Sequence, residues 1–344
     1  MPTPRTASAG GADLSATPAA VITGLGTCLP VTEVDNAELV TRLDTSDAWI
    51  RTRTGIEARR RAAPEVSMRD LARESGANAL RSAGVDAVGA LVLATSTPDR
   101  PCPAAAPEVA HRLGLGRIPA FDVSAVCSGF VYATATAAAL ITSGAVDSAL
   151  VVAAETYSRI VDPADRSTAV LFGDGAGAVV LRRGSTRDEG ALLAFDLGSD
   201  GADKDLIHIP GASERPDEER WFTMSGRKVY LRAIEQMVTS SLQVMEDCGW
   251  QPESVGALVP HQANARIVHA VADRLGVPPK AAVCALARVG NTAAASIPLA
   301  LADVQARGRT GPGTRTVLAA FGGGLTWGSA ALTWPRLTAV HSQI

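Results

Sequence analysis

Apolar and polar positions along this chain switch repeatedly between a short continuous pattern and a helical one. Short apolar runs, bounded by glycine, proline or polar residues, predict buried strands over 21–24, 88–94, 119–123, 148–154, 176–182 and 192–197. Later runs predict strands over 255–259, 281–285, 316–320 and 329–333. Between them the period lengthens to that of a helix. Helices are expected over 36–43 after Asp35, 67–83 before Gly84, 104–113 before Gly114 and 128–143 before Gly144, and then over 225–248, 263–275 and 292–306. Gly24, Gly26 and Pro30 punctuate 24–30 as a loop.

Strand and helix alternation implies a mixed α/β fold. The order of elements in the second half repeats that of the first. The expected organisation is a flexible tail over 1–18, rich in Ala, Gly, Ser, Thr and Pro, then one α/β half over 19–185 and another over 186–344. The Pro- and charge-rich piece 199–221 reads as an exposed connection between halves.

Composition narrows the function classes. The 344 residues are 47% hydrophobic and 19% charged, enough for a sizeable core. A net charge of −3 and a pI near 6.0 create no demand for nucleic acid or a membrane surface. There is no apolar run of about 18 residues, so no spanning helix is expected. The start of the chain lacks the apolar core of a signal peptide. Five scattered cysteines (28, 102, 127, 248, 284) suit a reducing cytoplasm better than a disulfide framework, and no Cys/His cluster has zinc-ligand spacing.

Candidate chemistry gathers where predicted strands turn into helices. Cys127 lies in Phe-Asp-Val-Ser-Ala-Val-Cys-Ser-Gly-Phe (121–130) among small neighbours. A cysteine at a helix start faces unpaired N–H groups and the positive end of the dipole, which favours the nucleophilic thiolate. A buried structural cysteine is the alternative from this segment alone. His261 in Val-Pro-His-Gln-Ala-Asn-Ala-Arg-Ile (259–267) ends a predicted strand, and Asn291 in Val-Gly-Asn-Thr (289–292) precedes a small-residue helix. Together the three turns supply a thiol, an imidazole and an amide donor. Gly322 to Gly324 form a run between two strands longer than a plain turn needs.

With Cys127, His261 in His-Gln-Ala-Asn, Asn291 in Gly-Asn-Thr and Phe-Gly-Gly-Gly-Leu-Thr-Trp-Gly (321–328), the chain resembles β-ketoacyl-acyl-carrier-protein synthase III, the initiating condensing enzyme of the thiolase superfamily. Asp-Ala-Trp-Ile-Arg-Thr-Arg-Thr-Gly-Ile (47–56) and Leu-Phe-Gly-Asp-Gly-Ala-Gly-Ala (171–178) carry the same resemblance, which runs from about 21 to 334. It implies the thiolase-like duplicated five-layered α-β-α-β-α fold, a cytoplasmic homodimer and no cofactor beyond the coenzyme A thioester used as substrate. The implied reaction transfers an acyl group from acyl-CoA to Cys127 and then condenses it with malonyl carrier protein, starting a fatty acid or polyketide. An acyltransferase that passes the acyl group to an amine, hydroxyl or carrier thiol is the alternative.

The resemblance also implies roles. The backbone N–H groups of Cys127 and Gly323 form an oxyanion hole, His261 and Asn291 hold the malonyl thioester carbonyl, and Phe321 flanks the malonyl carboxylate. Trp49, Arg53, Arg166 and Asn264 bind coenzyme A. Arg227, Arg266 and Arg274 receive the carrier protein, although Leu231 stands where a lysine is common in the family. Cys102 matches the position from which a side chain, often phenylalanine, enters the dimer mate's acyl pocket, and the smaller residue implies a starter bulkier than acetyl.

Overall fold

Two sheets with the same strand order frame the molecule, whose computed structural model describes residues 17–211 and 220–344. Most of the expected tail and part of the 199–221 connection lie outside the described residues. In the first sheet Pro18–Leu29 is antiparallel to Asp174–Ser185, which is antiparallel to Ser148–Thr156. Ala90–Ala94 and Ala120–Val123 follow in parallel. In the second, Leu192–Ser199 is antiparallel to Thr326–Thr333, which is antiparallel to Arg315–Gly322. Ala257–Pro260 follows in parallel. Order and direction match strand for strand.

The fifth place in the second sheet departs from expectation. In place of a strand over 281–285 there is a single parallel bridge from Leu258 to Ala282. The chain leaves the ladder after Pro260, where the His261 N–H turns to Ala319 O at 2.7 Å. The Gln262 side chain takes over the missing partners. Its Nε2 donates to Pro260 O and Val283 O at 2.6 and 3.1 Å, and its Oε1 accepts from Ala285 N–H at 2.8 Å. Buried backbone groups are thus paired without a regular strand.

Helix composition decides the layers. Gly129–Thr142 has no charged residue and Ser296–Ala306 has one, so both must be covered on all sides, and both lie between the sheets. Met68–Ala83 and Gly226–Asp247 carry charge along one face and cover the outer faces of the first and second sheets. The result is five layers, α-β-α-β-α.

Strands extend further than the apolar runs suggested. The first runs through the expected loop to Leu29, because Gly24 acts here by packing rather than by turning. A Cβ at Gly24 would lie 2.3 Å from Ala79 O, so its absence lets Met68–Ala83 sit directly on the strand. Val340–Gln343, too short for its alternation to be read, adds a parallel strand beside Pro18–Leu29. Ile207–His208 pairs with Thr223–Met224, and because Leu192–Ser199 already belongs to the second sheet, this pair lies inside the second half.

Each central helix opens with a strained turn. Val126 (φ 47°) begins the 3₁₀ turn Val126–Ser128, and Ala293 (φ 45°) begins Ala293–Ala295. Positive φ at a non-glycine residue costs of order 1–3 kcal/mol and is kept where surrounding structure enforces it. The two turns occupy equivalent places in the halves and pack on each other. One carries Cys127; the other has Ala294 in that place.

Candidate active site

Cys127 is 8% exposed and sits one residue after the strained Val126. Its turn is tied to the glycine loop. Thr326 Oγ1 lies 3.0 Å from Ala125 O and 3.1 Å from Gly323 O, and Ser128 Oγ donates to Thr326 O at 2.9 Å. A Cβ at Gly322 would lie 2.7 Å from Cys127 N, so only glycine allows this strand end to press against the nucleophile's amide. Gly323 follows directly, and Phe321, 3% exposed, shares the apolar cluster of Cys127.

The thiolate that a helix start favours is opposed here by burial. Burial pushes the Cys127 thiol well above its ordinary range, and the Glu155 charge adds to this, while the residue's own backbone N–H acts the other way. The α-helix proper starts only at Gly129, and desolvation outweighs what the helix end supplies.

Glu155 went unnoticed in the sequence, although a carboxylate near the end of a continuous apolar strand was a usable signal. It is fully buried and accepts from Thr97 Oγ1 at 2.6 Å and Ser96 Oγ at 2.9 Å. Burial raises its pKa to about 7, with these hydrogen bonds opposing. Tyr157 follows it, bonded through its hydroxyl to Ser96 Oγ at 3.0 Å, stacked on Phe172 at 4.7 Å and edge-on to Phe222 at 5.4 Å. This aromatic group belongs to the Cys127 cluster.

His261 is 3% exposed. Its Nδ1 lies 2.7 Å from Ser296 Oγ, which also accepts the Gln262 N–H at 3.2 Å. Burial lowers the imidazole pKa to about 4, with the backbone of Ala293 opposing, so the ring is neutral at pH 7. Asn291 is held by its backbone, with N–H to Leu171 O at 2.8 Å and Gly173 N–H to Asn291 O at 3.0 Å. Its Oδ1 accepts the Ala293 N–H at 2.9 Å, which leaves the NH₂ end as donor. Behind this loop the buried Arg59 donates to Val170 O, Asn36 Oδ1 and Val34 O. The Asn291 segment, the Cys127 turn and the glycine loop therefore converge, with His261 against Ala293. Ser296, Thr326 and Glu155 are the supporting residues that sequence reasoning missed.

The two buried titrating groups act oppositely on stability. Between pH 4.5 and about 7 the folded protein holds a proton on Glu155 that the unfolded chain has released, so this group's contribution falls as pH rises. Between about 4 and 6.5 the unfolded chain holds a proton on His261 that the folded protein lacks, so that contribution rises with pH. Glu155→Gln should therefore make stability climb from pH 5 to 7 more steeply than in the parent, and His261→Ala should make it fall. Urea midpoints at the two pH values measure this; identical pH slopes in all three proteins would refute it.

The remaining expected site residues are more dispersed. Arg166 stacks on the Trp49 ring at 4.7 Å and donates to Asp44 O at 2.7 Å, so the pair is closed face to face. Arg53 is exposed one turn beyond Trp49 in Asp47–Thr54. Asn264 caps Ala265–Leu275, accepting Ile267 N–H at 3.0 Å. Arg227, Arg266 and Arg274 are exposed, with Arg266 over Tyr230 at 5.4 Å. Cys102 is exposed and outside the apolar cluster of Cys127. Among the described residues no group of three or more His, Cys, Asp or Glu is placed to hold a metal ion, and no helix is long and apolar enough to cross a membrane.

A duplicated five-layered frame, with a cysteine turn at the mouth of one central helix and a polar turn at the other, is that of the thiolase-like acyl-transferring enzymes. The family model "3-Oxoacyl-[acyl-carrier-protein (ACP)] synthase III" matches 121–201, and the C-terminal model of that family matches 245–334. The chain is 56% identical over 330 residues to β-ketoacyl-[acyl-carrier-protein] synthase III 5 of Streptomyces coelicolor, covering 94% of this chain and 99% of that one. The crystal structure of 3-oxoacyl-(acyl carrier protein) synthase III from Pseudomonas aeruginosa superposes with a TM-score of 0.90 at 52% identity, covering 93% and 99%. The priming β-ketosynthase of the R1128 polyketide pathway does so with 0.87 at 33%, covering 95% and 99%. The chain belongs to the β-ketoacyl-acyl-carrier-protein synthase III family, and it is an acyltransferase.

Proposed function

We propose that this enzyme loads an acyl group from a coenzyme A thioester onto Cys127 and condenses it with malonyl carrier protein, releasing carbon dioxide and a β-ketoacyl thioester. The observation that carries this reading is the convergence of the Cys127 turn with the Asn291 loop and the glycine loop around one point. Cys127 is the nucleophile, and its N–H and that of Gly323 receive the oxyanion. The neutral His261 ring and the Asn291 NH₂ donate to the malonyl thioester carbonyl as charge develops there. Phe321 keeps the malonyl carboxylate in apolar surroundings, which favours its loss as a neutral molecule.

Coenzyme A enters between Trp49 and Arg166, whose stack must part to admit an adenine ring. Arg53 serves the phosphates, and Asn264 lies along the pantetheine arm. Exposed Arg227, Arg266 and Arg274 meet an acidic carrier, with Leu231, 56% exposed, as an apolar contact on the helix of Arg227. The enzyme works as a homodimer in which Cys102 reaches the mate's acyl pocket, opposite the Tyr157, Phe172 and Phe222 wall. Incubation with acyl-CoA and malonyl carrier protein, followed by mass spectrometry of protein and products, tests the reaction. An acyl-enzyme that forms without carbon dioxide release would instead establish simple acyl transfer.

Starter choice gives a separate prediction. Cys102→Phe should shift selectivity toward acetyl. A buried methylene is worth about 0.8 kcal/mol, so each carbon displaced from the pocket costs about four-fold in relative loading. Competition among acyl-CoA chain lengths reads this. The same profile in both proteins would remove Cys102 from the pocket.

A further inference from the structure

Behind the turn Ala293–Ala295 lies a cavity of about 230 Å³. The helix Ser296–Ala306, the strand end from Thr27 to Leu29 and the segment 285–292 enclose it, and the exposed Ala306 and His341 stand at its mouth. Cys127, His261 and Asn291 do not line it, but Thr292 does.

The polar groups of the lining are almost all taken. The Gln262 side chain serves Pro260 O, Val283 O and the Ala285 N–H. Ser296 Oγ lies 2.7 Å from His261 Nδ1 and accepts the Gln262 N–H. Thr27 Oγ1 and His341 Nδ1 meet at 2.8 Å, and Asp303 is paired with Arg307 Nε at 2.8 Å. Among the described side chains of the lining, only Thr292 Oγ1, in a fully buried residue, has no protein partner. Leu29, Val289, Leu299 and several alanines make the rest of the wall apolar. No Arg or Lys stands among the described lining residues, so an anion would lose its water there without gaining a partner. An apolar cavity of ~150 Å³ already holds benzene. The fitting ligand is therefore neutral and compact, one ring in size, with a single hydroxyl.

We propose that this cavity is a second ligand site, taking a neutral phenol-like compound whose hydroxyl bonds Thr292 Oγ1, and that filling it slows condensation. The coupling rests on the reading of Asn291 and His261 as the donors to the malonyl carbonyl. Three consecutive residues carry it. Asn291 presents its NH₂ end, Thr292 reaches into the cavity, and the backbone of Ala293 hydrogen-bonds the His261 ring. Ala293 is held at φ 45°, and Thr292 O accepts the Ala295 N–H at 3.0 Å, so the three belong to one tight turn. A ligand bonded to the middle residue shifts the donors on either side. Misplacing a positioned group by about 1 Å costs up to roughly 10²-fold in rate. Acyl loading uses neither donor and is spared.

Calorimetric titration of the full chain with phenol, benzene and benzoate tests the site. Phenol should bind once per chain. Benzene should bind roughly two- to ten-fold more weakly, the net worth of one neutral hydrogen bond, and benzoate should not bind. Thr292→Val should bring phenol down to the level of benzene, and Ala306→Trp should close the mouth and abolish binding. Saturating phenol should slow carbon dioxide release from malonyl carrier protein several-fold while Cys127 acylation, followed by mass spectrometry, keeps its rate. Absence of phenol binding, or undiminished binding in both variants, would overturn the site. Unchanged carbon dioxide release with the site filled, or loading slowed as much as condensation, would overturn the coupling. An enzyme that releases no carbon dioxide even without phenol would instead refute the underlying reading of the reaction, and the titrations would still judge the site.

Discussion

Cys127→Ala is expected to abolish acyl-enzyme formation and to reduce condensation to background. Removal of a nucleophile from a catalytic group acting as a unit costs on the order of 10⁶ in kcat. The structure supplies its own control for folding. The equivalent turn of the second half, Ala293–Ala295, carries Ala294 where the first carries Cys127, and it keeps the same strained φ at its first residue. The turn geometry therefore does not need a sulfur, and the variant should fold with its thermal midpoint little changed. Intact-protein mass spectrometry after exposure to acyl-CoA gives the readout. A full-strength adduct in the variant would place the nucleophile at another of the five cysteines.

Asn291→Ala should separate the half-reactions. Loss of one preorganised donor to a developing oxyanion costs about 2.7–4 kcal/mol, or roughly 10²–10³ in rate. That loss should fall on carbon dioxide release from malonyl carrier protein, while Cys127 still acylates. His261→Ala should likewise damage condensation far more than acyl loading, since both residues are assigned to the malonyl carbonyl. The contrast is the informative quantity. If Asn291→Ala slows acyl loading as much as decarboxylation, the division of roles is wrong and Asn291 is holding the shape of the Cys127 turn. Its Oδ1 bond to Ala293 N–H would be the means.

Much of the fold was legible because its elements obey local rules. The helix over 67–83 was legible from its period and from Gly84, which stands in the left-handed region at its end, and the structure adds a Ser67–Asp70 capping box at its start. The charge-free run over 129–142 could only be a helix covered on every side. The segment 281–285 misled because its apolar pattern suits a strand, while after one bond from Val283 N–H to Leu258 O its further partners are on the Gln262 side chain. Gly24 misled because a glycine in a turn and a glycine under a helix read alike until Ala79 is seen above it.

By itself the sequence determined the alternation of strands and helices, the repeated order of the halves, the positions of Cys127, His261 and Asn291 at element ends, and the family. These depend on side-chain period, capping and short motifs, which act over a few residues. Only the tertiary structure decided the protonation of the site and its support. Burial opposes the helix end at the Cys127 thiol; the Glu155 carboxyl is buried in the same region; and Ser296, 35 residues from His261, lies 2.7 Å from the imidazole. Desolvation and hydrogen bonds across the fold depend on what packs around a group, and no local pattern encodes that before the chain has closed on itself.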